Sequence, residues 1–167
     1  FDGSDDYHHR IHDPALAIDA NCILVIRGSG PLGWPGSAEV VNMQPPDALL
    51  KAGITSLPTL GDGRQSGTSD SPSILNASPE RAAGGGVSWV GTGDTIPIDL
   101  TAGTCDALVD DAEIARRKTE PAPPIPQSQT PWEELYREKT GQLSTGGVLE
   151  FAVKYRGTSA TVPRHNH

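Results

Sequence analysis

The sequence predicts a mixed α/β fold with a β-barrel core flanked by short helices. Three observations carry that prediction. Short apolar runs outnumber helix-like stretches; 19 glycines and 15 prolines break the 167 residues at turn spacing; and the helical stretches are scattered among strands instead of alternating with them, which disfavours a doubly wound sheet. The length suits one domain with a real hydrophobic core and is too short for two of ordinary size.

Residues 1–20 are polar, and His8, His9 and His12 precede Asp13-Pro14, which stops a helix. His8 and His12 have the i, i+4 spacing of a metal pair, but no third ligand follows, so they read as exposed side chains. Residues 22–27 form a buried strand that runs into a glycine-rich loop, and 37–42 a short helical turn. Pro45-Pro46-Asp47 opens a helix through Lys51 that ends at Gly53, with proline tolerated in the first turn. Residues 57–60 form a strand that delivers the chain into a second glycine-rich loop. Ser78 caps a turn starting at Pro79 and closed by Gly84-Gly85-Gly86. Residues 87–90, 95–100 and 104–109 are strands separated by Gly-Asp and Ala-Gly turns, as in a meander or barrel wall. A charged helix over 110–118, a proline-rich extended connector over 120–130 and a last helix opened by Pro131 complete the chain.

A formal charge of -8 disfavours a nucleic-acid surface, which needs clustered Lys and Arg. No apolar window is long enough for a bilayer, and the start lacks a signal-peptide pattern, so the expectation is a soluble cytoplasmic protein without a membrane partner. Cys22 and Cys105 read as ordinary buried thiols, and two cysteines cannot hold a metal cluster alone. A chain that opens on Phe1 in mid-phrase reads as a piece of something longer.

Gly28, Gly30 and Gly33 in IRGSGPLGWPG spell G-x-G-x-x-G after a strand. A dinucleotide cradle needs a long helix straight after the loop, to place free N–H groups on the pyrophosphate. Pro31 removes a donor and Pro35 favours a continued turn, so that reading fails. The glycines instead let the backbone pass close to something and deliver Ser37-Ala38-Glu39 to a defined place. In the second loop Ser66 lies in Gln65-Ser66-Gly67, which is not the G-x-S-x-G of a hydrolase nucleophile.

Taken together, Gly30-Pro31-Leu32-Gly33-Trp34-Pro35-Gly36-Ser37-Ala38-Glu39, Leu60-Gly61-Asp62-Gly63-Arg64-Gln65-Ser66-Gly67-Thr68, Ser78-Pro79-Glu80-Arg81-Ala82-Ala83-Gly84-Gly85-Gly86 and Gly93-Asp94-Thr95-Ile96 resemble one family in order and spacing. It is that of the iron–sulfur dehydratases of dihydroxy acids, phosphogluconate and sugar acids. The resemblance spans nearly the whole chain and is to the C-terminal domain, a swivelling β/β/α-type barrel, with the cluster-binding N-terminal domain absent. Gln65, Ser37-Ala38-Glu39, Thr145-Gly146-Gly147-Val148-Leu149-Glu150 and the ending Pro163-Arg164-His165-Asn166-His167 resemble the sugar-acid (arabinonate and xylonate) branch.

The resemblance implies a hydro-lyase that converts a 2,3-dihydroxy acid into a 2-keto-3-deoxy acid. It implies Ser66 as the general base, Thr68 as a donor to the substrate carboxylate, Glu39 as one magnesium ligand, and Asp62 and Arg64 as loop-shaping residues behind them. Magnesium and an iron–sulfur cluster, 2Fe-2S, are the implied cofactors; neither Cys22 nor Cys105 matches a cluster ligand. The isolated chain is therefore expected to be inactive and to hold neither group tightly. The missing N-terminal domain and a sugar acid are the implied partners, in a homodimer or homotetramer. The alternatives are a branched-chain dihydroxy-acid dehydratase domain and a stand-alone, non-catalytic binding module built on the same barrel.

Overall fold

The computed structural model of the chain describes residues 1–35, 43–65, 72–121 and 124–157. Its centre is a parallel sheet of three short strands, β1 (Leu24–Ile26), β2 (Thr59–Gly61) and β3 (Ser73–Ile74), in the order β1-β2-β3. Leu24 pairs with Thr59 and Ile26 with Gly61, and Thr59 pairs in turn with Ser73. All three residues of β2 are buried, as expected of a central parallel strand covered on both faces. Residues 1–2 lie along the other side of β1: Asp2 bridges Arg27 in parallel, and the Arg27 N–H donates to the Phe1 carbonyl at 3.0 Å.

The core forms where α1 (Ser4–Arg10) lays Tyr7 and Ile11, one helical turn apart, on the β1 face that presents Leu24 and Ile26. Met43 and Leu57 complete it, and Leu49 of α2 (Asp47–Lys51) packs on its edge. The buried Tyr7 hydroxyl donates to the Gln44 carbonyl at 2.8 Å, so the ring is buried without an unpaired polar end. Pro46 and Asp47 start α2 and Gly53, at φ 86°, follows its end, as the sequence predicts.

The two further expected helices form, each with a side-chain cap. Asp110 accepts the Glu113 N–H at 2.9 Å at the head of α3 (Asp111–Lys118), and Thr130 accepts the Glu133 N–H at 3.2 Å at the head of α4 (Pro131–Lys139). Among the described residues no helix is long and apolar enough to cross a membrane.

Several expectations are corrected. Residues 87–90 are not a strand; a 3-10 turn covers Gly86–Ser88. The Arg27 guanidinium gathers the carbonyls of Val87, Ser88 and Val90 at 3.2, 3.2 and 2.8 Å, and a strand would point successive carbonyls to opposite sides. The next two runs contract to β4 (Ile98–Asp99) and β5 (Thr104–Cys105), an antiparallel pair, since Pro97 has no N–H to extend the ladder. Cys105, on the exposed strand β5, is exposed, and Cys22 is only half-buried. Ser78 caps no turn: the 3-10 turn Arg81–Ala83 starts later, and the Ser78 hydroxyl donates to that of Ser144 at 3.1 Å. The predicted turn over 37–42 lies outside the described residues.

Candidate functional site

Parallel strands send their following loops to the same end of a sheet, and ligands bind α/β proteins at that end. Ile26 and Gly61 are register partners, so the loop after β1 and the loop after β2 leave side by side. Asp62, the first residue after β2, is fully buried and joins three pieces of backbone. Its carboxylate accepts the N–H groups of Gly28 and Ser29 at 3.0 Å and of Arg81 at 2.9 Å.

Glu80 is the second fully buried acid. Its oxygens accept from Leu32 N at 2.9 and 3.1 Å, from Gly33 N at 2.9 Å and from Gln142 Nε2 at 2.9 Å, while its own N–H donates to Gln142 Oε1 at 2.9 Å. The glycines of the first loop follow from this packing. A Cβ on Gly30 would stand 2.6 Å from the Glu80 Cβ, and one on Gly33 would stand 2.6 Å from the Gly28 carbonyl oxygen. The close backbone passage expected of these glycines is therefore real, and Gly28 adds a left-handed φ of 85°.

Charged groups brace the site from behind. Asp2 pairs with Arg27 at 2.7 Å and with Arg81 at 2.8 Å. Burial pushes the Asp2 carboxyl up, but the Arg27 hydrogen bond and the two guanidinium charges outweigh it and hold the group below its ordinary value. Arg137 of α4 donates through Nε to the Leu32 carbonyl at 3.0 Å and ties that helix to the first loop.

Of the residues singled out in the sequence, Asp62 sits at the centre of this arrangement and Arg64 is exposed on the second loop. Glu39, Ser66 and Thr68 lie outside the described residues. Gln65, just before Ser66, is buried; its Oε1 accepts from the Thr59 hydroxyl at 2.7 Å, and its Nε2 has no partner among the described residues. Sequence reasoning missed Glu80 and Gln142. The only signal for Glu80 is its place in the Ser78-to-Gly86 phrase, where the sequence predicts a capped turn.

A groove of about 660 Å³ between the N-terminal segment, β1 and residues 90–96 is a competing location, but its described lining includes neither Asp62 nor Glu80. Among the described residues no three His, Cys, Asp or Glu side chains could hold a metal ion. The oxygens of Asp62 and Glu80 already accept backbone and amide N–H groups, so magnesium and an iron–sulfur cluster do not fit the described donor set.

Comparison with known sequences gives this geometry its context. The sequence model of the dihydroxy-acid/6-phosphogluconate dehydratase C-terminal domain matches residues 1–147. The chain belongs to this dehydratase family. Over its full length it is 73% identical to D-xylonate dehydratase of Caulobacter vibrioides and 37% identical to L-arabonate dehydratase of Azospirillum brasilense. Against dihydroxy-acid dehydratase of Clostridium beijerinckii it is 39% identical over 80% of the chain. It spans only 28%, 29% and 24% of these dehydratases, less than a third of each. The four phrases that carry the family resemblance include both carboxylates, Asp62 and Glu80, that brace the loops.

Proposed function

We propose that this chain is the C-terminal part of a sugar-acid dehydratase that removes water from a pentonate of the D-xylonate type. The observation that carries the reading is 73% identity across the entire chain to a D-xylonate dehydratase, nearly twice the identity to the dihydroxy-acid dehydratase. The barrel core belongs to the same reading and rests on the family resemblance. The remaining polypeptide is the main partner. Leu100, Leu108, Trp132, Phe151 and Tyr155, all more than half exposed, support a chain that packs against more protein.

In this reading Ser66, carried on the loop after β2, takes the proton from C2 of the substrate. Ser66 acts as the alkoxide: the C2–H electron pair forms the C2–C3 double bond as the C3–O bond breaks and its electrons leave with hydroxide. The proton now on Ser66 passes to that hydroxide to give water and restore the alkoxide, and the enol tautomerises to the 2-keto-3-deoxy acid. Thr68 donates to the substrate carboxylate, and Arg64 and Asp62 shape the loop that presents both hydroxyls. Glu39 would lend one carboxylate to a magnesium ion whose other ligands, like those of a 2Fe-2S cluster, would lie outside this chain, and when bound those groups would supply positive charge and Lewis acidity for the proton loss and the leaving hydroxyl.

The test is a panel of D-xylonate, L-arabinonate, D-gluconate and a branched-chain dihydroxy acid on the full-length, cofactor-loaded homo-oligomer, with Ser66→Ala beside it. Dehydration of the pentonates, lost in Ser66→Ala with fold and cluster absorbance intact, is expected. Preference for the branched-chain acid would overturn the substrate assignment, and near-normal Ser66→Ala activity the assignment of the base. The 167-residue chain alone is expected to be inactive.

A further inference from the structure

Glu80 plays no part in the chemistry proposed above, yet it has as many constraints as any side chain at the site. It is fully buried, and both of its oxygens are occupied: Oε1 by Leu32 N and Gln142 Nε2, Oε2 by Leu32 N and Gly33 N. Gln142 is itself fixed, because its Oε1 holds the Glu80 N–H and its carbonyl accepts from Thr145 and Gly147. Glu80 grips the Leu32 residue by its N–H while Arg137 grips it by its carbonyl, and Trp34 N closes the turn on the Gly30 carbonyl at 2.8 Å. This turn leads, six residues after Gly33, to Glu39.

We propose that Glu80, held by Gln142, is a positioning residue for the dehydration: it fixes the turn over residues 30–34 and thereby the approach of the chain that carries Glu39. The proposal rests on the dehydratase reading. A displacement of about 1 Å at a reacting centre can cost on the order of 100-fold in rate, so a clasp this complete has a kinetic consequence distinct from its effect on folding.

The hydrogen-bond polarity of the clasp supplies the test. In Glu80→Gln, either orientation of the amide sets an NH₂ against backbone or Gln142 donors. Adding Gln142→Glu restores the match: the amide introduced at position 80 would keep its oxygen on Leu32 N and Gly33 N and turn its NH₂ toward the new carboxylate. Full-length, cofactor-loaded wild type, Glu80→Gln and Glu80→Gln/Gln142→Glu are compared on D-xylonate at 25 °C, with hydrogen exchange of the peptide covering 28–35. In Glu80→Gln we expect faster exchange at Leu32 and Gly33 and a kcat loss of about 10- to 100-fold, with KM moved less than about threefold. The double variant should regain both protection and kcat to within about fivefold.

Faster exchange with unchanged kcat in Glu80→Gln, or protection regained in the double variant without kcat, would overturn the proposal. If Glu80→Gln does not fold, the double variant alone decides by the same two readouts. A wild type that dehydrates no sugar acid would sink the dehydratase reading itself, a different result from variants that behave like an active wild type.

Discussion

Asp62 offers the sharpest measurement of what holds the two loops together. Its carboxylate satisfies three backbone N–H groups: that of Ser29, which is buried, and those of Gly28 and Arg81, which are partly buried. A fully buried donor left without a partner costs about 1–3 kcal/mol, and a partly buried one falls at the low end because water can reach it. Asp62→Ala should therefore destabilise the chain by roughly 4 kcal/mol, a large share of the 5–15 kcal/mol typical of a domain. Asp62→Asn keeps an oxygen where Gly28 N and Arg81 N converge on Oδ2 and sets its NH₂ against the Ser29 N–H alone, so it should cost about 2 kcal/mol. Urea titration of the 167-residue chain, followed by tryptophan fluorescence, reads both, with unchanged slopes confirming that stability and not compactness has moved. Equal costs for the two variants, or a loss below about 0.5 kcal/mol for Asp62→Ala, would refute the assignment of Asp62 as the three-way tie.

Three other outcomes follow from the same structure. Gly30→Ala and Gly33→Ala, whose new Cβ atoms would meet Glu80 and the Gly28 carbonyl at 2.6 Å, should each lose about 1–3 kcal/mol, while Gly86→Ala, with open space around it, stays within about 0.5 kcal/mol in the same urea assay. The hydrogen bonds from Arg116 and then Arg117 hold the Glu113 carboxyl down to about 2, from an ordinary 4.5. A depressed acid stabilises the fold above its unfolded value, so that contribution is present above pH 4.5 and is lost as pH falls toward 2; helix ellipticity titrated from pH 6 should show a loss that is smaller in Glu113→Gln. Burial, followed by the neighbouring Asp106 charge, pushes the exposed Cys105 thiol up, so alkylation at pH 7.5 should be slower than that of glutathione and accelerate with pH; a rate equal to glutathione contradicts this.

What was legible in the sequence was local. Pro46-Asp47 and Pro131 mark helix starts because a proline suits a first turn that needs no N–H from it, and Asp110 and Thr130 hold N–H groups three residues on, so these helices form from signals within one turn of their starts. The strand after Cys22 was legible because a buried parallel strand is a plain apolar run. Residues 87–90 were misread because their carbonyls answer to Arg27, some sixty positions earlier, and apolar alternation carries no trace of that pull. At the site, Asp62 was legible as a loop-shaping residue since it lies inside the loop it shapes. Glu80 was not, since the N–H groups it holds lie 47 and 48 residues upstream and its amide partner 62 residues downstream.

The glycine loop shows why a motif alone misleads. A G-x-G-x-x-G turn gathers free N–H groups into a concave surface that attracts an anion, and a dinucleotide phosphate is the usual occupant. This loop gathers them too: Gly28 and Ser29 turn their N–H groups onto one carboxylate, Leu32 and Gly33 onto another. Here the anions are Asp62 and Glu80, side chains of the same protein, and Pro31 interrupts the donors between the two pairs. Once filled from within, those donors have no capacity left for a phosphate. A loop with four of its N–H groups held by buried carboxylates of the same chain is a fixed platform, and on this chain it leads toward Glu39, beside a second loop that leads into Ser66. The same backbone pattern can therefore bind a ligand or hold a scaffold still. The choice rests on whether a buried carboxylate elsewhere in the sequence reaches it first.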